Sequence, residues 1–135
     1  TYRNWCSEAQ ATTYLWNDIQ AALASGKKSI FDPSPAGWKL PTITENSSAG
    51  TPWYGLTANL TSSVATFFTN AKYPASGNRG YTSGAMTNVG TYGYYWSASP
   101  YSTIYGYTLY FSSSNVNPAN FSSRSIGYQV RPVLE

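Results

Sequence analysis

The second half of the chain, residues 77–135, is rich in turn residues and β-prone residues and has no helical periodicity. Its clearest pattern is the alternation in residues 105–112. The apolar positions of this stretch are expected to face a core: Tyr107, Leu109 and Phe111. The intervening positions are expected to face outward: Thr108, Tyr110 and Ser112. A strict period of two is typical of a half-buried strand, so this half of the chain is expected to form a sheet.

Five further elements complete the prediction. Residues 7–25 carry apolar side chains at three- and four-residue spacing, with Ser7 as N-cap and Gly26 as the stop, and predict an amphipathic helix. A weaker helix is expected over residues 60–70. Short strands are expected over residues 38–41, 94–98 and 128–133. This order predicts an α+β fold, with an N-terminal helix followed by short antiparallel strands and long loops. Nothing repeats and no linker divides residues 1–135, which indicates a single domain.

The residue types needed for catalysis and metal binding are scarce. The chain has no histidine, one cysteine (Cys6) and five acidic residues, none of them between Glu45 and Glu135. It therefore lacks a Ser-His-Asp triad, a histidine metal site and, in its aromatic-rich half, the paired carboxylates of a glycosidase. Calcium needs several converging oxygen ligands, which this half also lacks. We predict a protein that is not an enzyme and uses no cofactor, metal or calcium ion.

Charge and hydropathy exclude two further classes of partner. The net charge is +3, and Lys27-Lys28 is the only basic pair. A protein that tracks phosphates would cluster its basic residues, so no nucleic acid is expected as partner. No apolar run approaches the length of a membrane span, so no direct membrane insertion is expected. Because the chain starts at Thr1 without an initiator methionine, we expect it to be the C-terminal module of a larger protein.

Four segments, taken in order, resemble a known family. They are Asp32-Pro33-Ser34-Pro35-Ala36-Gly37-Trp38-Lys39-Leu40-Pro41-Thr42, Tyr73-Pro74-Ala75-Ser76-Gly77-Asn78-Arg79, Gly93-Tyr94-Tyr95-Trp96-Ser97-Ala98-Ser99-Pro100 and Arg124-Ser125-Ile126-Gly127-Tyr128-Gln129-Val130-Arg131-Pro132-Val133. Together they resemble the Fibrobacter succinogenes major paralogous domain and, more closely, the variable C-terminal domains of diversity-generating-retroelement proteins, including those at pilus tips of gut bacteria. The resemblance implies a C-type-lectin-like fold that displays a variable surface. The chain departs from the family at Ser34, where cysteine is frequent, and in the loop of residues 46–52.

The resemblance also implies where ligand is bound. It places the variable, ligand-binding positions at Tyr94, Tyr101, Ser102, Thr103, Ile104, Tyr105, Thr108, Tyr110, Ser112, Asn120, Phe121, Ser122, Ser123 and Ile126. Tyrosine and phenylalanine give large rigid contact areas, while serine, threonine and asparagine adapt their hydrogen bonds. The exposed aromatic members are the expected hot spots: Tyr101, Tyr105, Tyr110 and Phe121. The alternative is that individual tyrosines belong to the core of a β-rich domain.

A second group of residues is expected to form the scaffold. The predicted core consists of Trp38, Leu40, Trp96, Leu109, Phe111, Tyr128 and Val130. Two roles are open for Arg124 and Arg131: they hold loops by donating to backbone carbonyls, or they contact the ligand. The structural role is favoured. Glycines are expected where the backbone conformation excludes side chains, at Gly77, Gly93 and Gly127.

Three functions fit these observations. The first is an adhesin or receptor-binding module at a pilus tip, on a cell surface or on a phage fibre, which binds a protein or glycan receptor. The second is an enzyme module on the same fold, of the formylglycine-generating type, although those proteins rely on active-site cysteines that a lone Cys6 does not supply. The third is a structural subunit whose aromatic face packs on another pilus or fibre subunit.

Overall fold

The computed structural model of the chain describes residues 28–29, 31–43, 52–55, 64–102 and 104–135. These residues contain one helix and seven strands, which are β1 (Trp38–Lys39), α1 (Val64–Ala71), β2 (Asn78–Arg79), β3 (Met86–Thr87), β4 (Gly93–Pro100), β5 (Tyr105–Phe111), β6 (Val116–Ser123) and β7 (Val133–Leu134). Within them, all the strand pairs are antiparallel: β1 with β7, β2 with β3, and β4-β5-β6 in one sheet. The predicted α+β class is confirmed.

The three-stranded sheet is the centre of the described structure. Strand β5 runs between β4 and β6, with Tyr95 opposite Leu109 and Tyr107 opposite Phe121. The strands predicted at residues 94–98 and 105–112 are both confirmed, and the first is longer than expected. Strand β6 was not predicted. Its register shifts by one residue around Pro118, which cannot donate to the ladder, and the strand bulges there.

The core lies between this sheet and α1. Phe67 of α1 stacks on Phe111 with ring centroids 4.2 Å apart, and Tyr73 meets Tyr95 edge to face at 4.8 Å. The buried hydrophobic cluster is Ile43, Trp53, Phe67, Tyr73, Tyr95, Tyr107, Leu109 and Phe111. The predicted inward positions Tyr107, Leu109 and Phe111 are therefore confirmed. We call this the core side of the sheet and the opposite one the outer side.

Two of the predicted glycine positions are explained by contact, and one of them also by backbone conformation. Gly77 has φ +69°, and a Cβ at this residue would overlap the backbone of β3 at Thr87. Gly93 has no positive φ, and its role is to leave room, because a Cβ there would overlap the ring of Phe111. Gly93 thus allows a large aromatic ring to lie flat against β4.

A buried carboxylate organises the entry into β1. Asp32 accepts hydrogen bonds from the backbone N–H of Ser34 at 2.8 Å and of Leu40 at 2.9 Å, and Lys28 Nζ lies 3.5 Å from its Oδ1. Lys28 also donates to the carbonyls of Ser34 and Trp38. Burial alone would raise the pKa of Asp32, but the bonds from Leu40 and Ser34, with the charge of Lys28, outweigh it and lower the pKa. The Asp-Pro-Ser-Pro turn is therefore held in place by one anion.

The C-terminal segment differs from the prediction. In place of a strand over residues 128–133, β7 covers only Val133–Leu134 and pairs with β1, since Pro132 lacks the N–H that a continuous ladder needs. Before β7, Gln129 forms an isolated parallel β-bridge with Tyr95. The carbonyl oxygen of Gln129 accepts a hydrogen bond from the N–H of Trp96 at 2.9 Å. The segment thus extends the central sheet beside β4 before it turns to β1.

Three members of the predicted core are misplaced. Trp38 is 44% exposed and Val130 is 42% exposed, so both predictions are wrong. Trp38 sits in a two-residue strand opposite Leu134, at the surface of a ladder too short to cover it. Tyr128 is half-buried on the outer side of the sheet and not in the core cluster. Leu40, Trp96, Leu109 and Phe111 are buried as predicted.

The other predictions divide between tested and untested residues. Strand β1 confirms the start of the segment predicted over 38–41, and α1 confirms the weaker helix from residue 64 onward. Arg131 donates to the carbonyl of Lys72 and lies over the ring of Tyr73, which fits its predicted structural role. The helix over residues 7–25, Cys6 and residues 60–63 lie outside the described residues. Within the described part, no helix has the length and apolar character needed to cross a membrane.

Candidate ligand-binding site

The structure divides the predicted binding positions between the two sides of the central sheet. Neighbouring side chains of β6 point to opposite sides, as period two requires. Phe121 and Ser123 pair with Tyr107 and Tyr105 on the core side, at the end of the sheet beyond the core. Asn120 pairs with Thr108 on the outer side, and Ser122 shares that side. The predicted ligand-binding positions therefore form two separate surfaces in place of the single one expected.

The first surface is a cluster at the end of the sheet, which we call the aromatic patch: Tyr101, Ile104, Tyr105 and Phe121. The rings of Tyr101 and Phe121 are stacked at 4.2 Å with an interplanar angle of 7°, and Tyr105 meets Phe121 edge to face at 5.7 Å. Beneath them, Tyr107 meets Tyr101 at 5.3 Å. Tyr101 is 43%, Ile104 41% and Phe121 48% exposed. Packing thus fixes the rings while leaving apolar area open to solvent.

A tight turn between β4 and β5 positions the patch. The N–H groups of Tyr101 and Ser102 both donate to the carbonyl of Tyr105 at 3.0 Å. Ser102 Oγ in turn accepts from the N–H of Ile104 at 3.3 Å and of Tyr105 at 3.2 Å. Ser102 therefore shapes the loop by a local side-chain bond, as serine does in turns. Thr103 lies outside the described residues.

The second surface is a row of four rings on the outer side, which we call the tyrosine face: Tyr92, Tyr94, Tyr110 and Tyr128. Tyr94 stacks on Tyr128 at 4.5 Å with an interplanar angle of 8°. Tyr110 lies 5.2 Å from Tyr94 and 5.8 Å from Tyr92. Trp96 lies 4.9 Å from Tyr128 at the base of the row. Each ring is half-buried against its neighbours.

Polar side chains of β6 continue the tyrosine face. Asn120 Nδ2 donates to Thr108 Oγ1 at 3.0 Å, and the Tyr128 hydroxyl donates to Ser122 Oγ at 3.1 Å. Asn117 lies on the same side, opposite Tyr110, and its Oδ1 accepts the N–H of Ala119 at the bulge. These bonds hold a strip of amides and hydroxyls beside the rings.

Two predicted outward positions are buried. Thr108 does point away from the core, as the alternation predicts, but Asn120 and the neighbouring strands cover it completely. Ser112 is buried at the β5–β6 turn, where its Oγ accepts the N–H groups of Ser114 and Asn115. Both predictions of exposure are wrong, because the outer side of this sheet is not open to solvent along its whole length.

Two remaining positions lie just beyond the patch. Ser123 Oγ is 2.9 Å from Ser125 Oγ, and the N–H of Ile126 donates to the carbonyl of Ser123 at 3.0 Å. Ser123 is the last residue of β6 and Ile126 lies in the turn that follows; both are half-buried. Their contacts are those of a turn that carries the chain from β6 toward Gly127.

The tyrosine face also raises the pKa of its central members. Burial, followed by repulsion from Tyr128, Tyr110 and Tyr92 when they ionise, raises the pKa of Tyr94 to about 12. Burial likewise raises the pKa of Tyr128, against the opposing effect of its bond to Ser122. Both phenols therefore stay neutral well above physiological pH.

Tyr94→Phe is expected to make the domain less sensitive to alkali. Because the folded pKa of Tyr94 exceeds the unfolded value near 10, its contribution to stability is complete below pH 10 and is lost as pH rises toward 12. Phenylalanine keeps the ring and cannot ionise. Urea unfolding at several pH values should show a fall in unfolding free energy from pH 9 to 12 that is smaller in Tyr94→Phe, by about 1 kcal/mol after solvent screening. Tyr81→Phe, at an exposed site, should follow the wild type; equal falls in all three proteins would contradict the prediction.

Sequence reasoning missed two members of the tyrosine face, Tyr92 and Tyr128, and the neighbouring Asn117. Tyr92 precedes β4 and Asn117 precedes the bulge of an unpredicted strand, so neither belongs to an alternating stretch. Tyr128 was assigned to the core. The signal available in the sequence was the number of tyrosines, 13 in 135 residues, which is more than the core of one small domain needs.

Comparison of the chain with models of protein families, with curated proteins and with solved structures finds no match. Within the described residues, no three His, Cys, Asp or Glu side chains lie close enough to hold a metal ion. The two aromatic surfaces are the candidate functional sites that the geometry of the described residues offers.

Proposed function

We propose that this chain is a surface-displayed ligand-binding module, an adhesin or receptor-binding domain that binds without calcium and is not an enzyme. The proposal includes a C-type-lectin-like fold of the diversity-generating-retroelement type and a place at a pilus tip, on an outer surface or on a phage fibre. One observation carries it. Ligand-binding positions that the resemblance places about 20 residues apart in the sequence, Tyr101 and Phe121, come together in the aromatic patch, where their rings stack.

The patch has the physical properties of a protein-binding hot spot. Its rings are held by one another, so little side-chain entropy is left to lose on binding. Apolar area remains exposed on Tyr101, Ile104 and Phe121, and burying it beneath a partner is favourable. Aromatic anchors at the centre of a contact commonly supply most of its binding energy.

The same exposures argue against a purely internal role for these residues. Core aromatics of this domain, such as Phe67 and Phe111, are fully buried, whereas Phe121 is 48% exposed on the same side of the sheet. A phenylalanine that stabilised the fold alone would gain more by deeper burial. The contrast supports a role for the patch in contacts with another molecule, protein or glycan, on a host or bacterial surface.

The proposed function is tested by the binding of the whole chain to intact cells. Fluorescently labelled protein is incubated with panels of gut bacteria and of epithelial cells, in buffer with and without EDTA, and bound protein is counted by flow cytometry. We expect saturable binding to at least one cell type that excess unlabelled chain displaces and that EDTA leaves unchanged. Unsaturable binding to every cell, or binding abolished by EDTA and restored by calcium, would overturn the proposal.

A further inference from the structure

The tyrosine face carries hydrogen-bonding groups that the described fold does not use. Among the described residues, none forms a hydrogen bond with the hydroxyl of Tyr92, Tyr94 or Tyr110. These hydroxyls are not among the buried unsatisfied atoms, so water or a ligand can reach them. A phenol is both donor and acceptor, and three of them lie side by side on rings 5.2 to 6.2 Å apart.

The amides beside the rings add one donor group and one acceptor. Asn120 uses its Nδ2 toward Thr108 and Ser122, which leaves its carbonyl oxygen. Asn117 uses its Oδ1 toward Ala119, which leaves its NH2 group. Because each side chain is fixed by a bond at its other end, its remaining group is held in a defined direction before ligand arrives.

The side chains of this surface carry no charge. The outer-side positions around the four rings hold uncharged side chains: Trp96, Thr108, Asn117, Asn120 and Ser122. One charged side chain reaches this side of the sheet, that of Arg124, which lies against Gly106 near Trp96, at one end of the row. The ionised form of Tyr94 is also disfavoured here. A ligand that placed its charge over the four tyrosine rings would lose hydration there without an opposite charge beside it.

From these features we infer that the tyrosine face is a subsite for a neutral saccharide, which deepens the proposed function and rests on it. The free phenols and amides match the vicinal hydroxyls of a sugar, and the ring edges and faces contact its C–H groups. Such a site combines an apolar floor with a few fixed polar groups, as small-ligand sites do.

Ring spacing favours a saccharide over two other ligands. The rings of the tyrosine face touch one another at 4.5 to 6.2 Å and leave no pocket for an inserted peptide side chain. They are also half-buried, so, unlike the rings of the aromatic patch, they do not project as anchors into a partner. A quaternary ammonium needs aromatic rings that surround it, which the same contacts prevent. A sugar ring that lies with one face across the four tyrosine rings needs neither a pocket nor a surrounding cage of aromatic rings.

The test uses the whole chain on a printed array of neutral and acidic oligosaccharides, followed by calorimetric titration with the soluble form of any neutral oligosaccharide that binds. The variant Tyr94→Phe/Tyr110→Phe keeps both rings and removes two hydroxyls, and Tyr81→Phe is the matched control. We expect neutral oligosaccharides to bind the wild type and Tyr81→Phe alike. Loss of two hydrogen bonds should weaken the double variant roughly 5- to 100-fold.

Several results would overturn the inference. They are binding confined to acidic glycans, equal affinity of the double variant and the wild type for a neutral oligosaccharide, and no binding to any neutral glycan on the array. Thermal unfolding of the double variant should match the wild type within a few degrees, so that lost affinity reports the hydroxyls. If no neutral glycan binds while the chain still binds cells through the aromatic patch, the saccharide inference fails and the proposed function stands.

Discussion

Phe111→Ala is expected to lower the free energy of unfolding by about 3–5 kcal/mol, the largest effect of any single truncation in the sheet. The Phe111 ring is fully buried, stacks on Phe67 at 4.2 Å and lies parallel to Tyr95 at 6.3 Å. Truncation therefore removes both the transfer energy of the ring and the contact between the sheet and α1. Urea unfolding followed by far-ultraviolet circular dichroism measures the difference. Phe68→Ala, at an exposed position of the same helix, should change stability by no more than about 0.5 kcal/mol.

A double-mutant cycle separates the cause of this effect from a general loss of packing. Gly93→Ala alone should cost about 1–3 kcal/mol, because the new methyl group would overlap the Phe111 ring. In a Phe111→Leu background the methyl group has room, so Gly93→Ala should cost measurably less there. A coupling energy near zero would mean that Gly93 is required for a reason other than the space it leaves for Phe111.

The alternation of residues 105–112 predicted the two sides of β5 correctly, but not what covers them. Period two follows from backbone geometry, which local sequence determines. Whether the outer side meets water depends on residues distant in sequence. Thr108 is covered through Asn120, and Tyr128 returns across the sheet to stack on Tyr94. No local pattern specifies such contacts.

Strand β6 was missed for an identifiable physical reason. Its first half, Val116-Asn117-Pro118-Ala119, contains residues that disfavour strands, and proline is normally excluded from a paired position. The bulge at Pro118 accommodates it, with Asn117 supplying an acceptor for the Ala119 N–H. The same bulge places both Asn117 and Asn120 on the outer side, since each pairs with an outer-side residue of β5. A feature that weakens the strand signal thus builds part of the candidate site.

The binding positions were predicted as a set, whereas their division between two surfaces required the register. Residues 120–123 form one short segment in the sequence, yet Asn120 and Phe121 face opposite sides of the sheet. A ligand that contacts the aromatic patch does not reach Tyr94 or Tyr110 on the other side. Substitutions that combine Tyr110 with Phe121 would consequently mix two sites, so each surface needs its own variants.

Tyr101→Ala/Phe121→Ala is expected to weaken binding to cells by roughly 30- to 1,000-fold, corresponding to about 2–4 kcal/mol lost from a hot spot. The two rings stack on each other and are more than two-fifths exposed, so removing both deletes the anchor surface and takes little from the core. The dissociation constant is measured by flow cytometry with the labelled chain. Unfolding free energy should fall by about 1.5–3 kcal/mol for the pair, because each side chain is roughly half-buried and contributes about half as much as a fully buried one.

Tyr81→Ala is the matched control for this pair, because Tyr81 is a large aromatic residue, 64% exposed, in the turn between β2 and β3 and in neither aromatic surface. Its affinity for cells should equal that of the wild type. If the double variant unfolds, Tyr101 and Phe121 belong to the scaffold and the patch is not the site. If the double variant is folded and binds cells as tightly as Tyr81→Ala, the contact lies elsewhere on the domain. Only a folded double variant with lost binding, beside a control that keeps it, fits a patch whose rings are held rigid by one another and exposed for a partner.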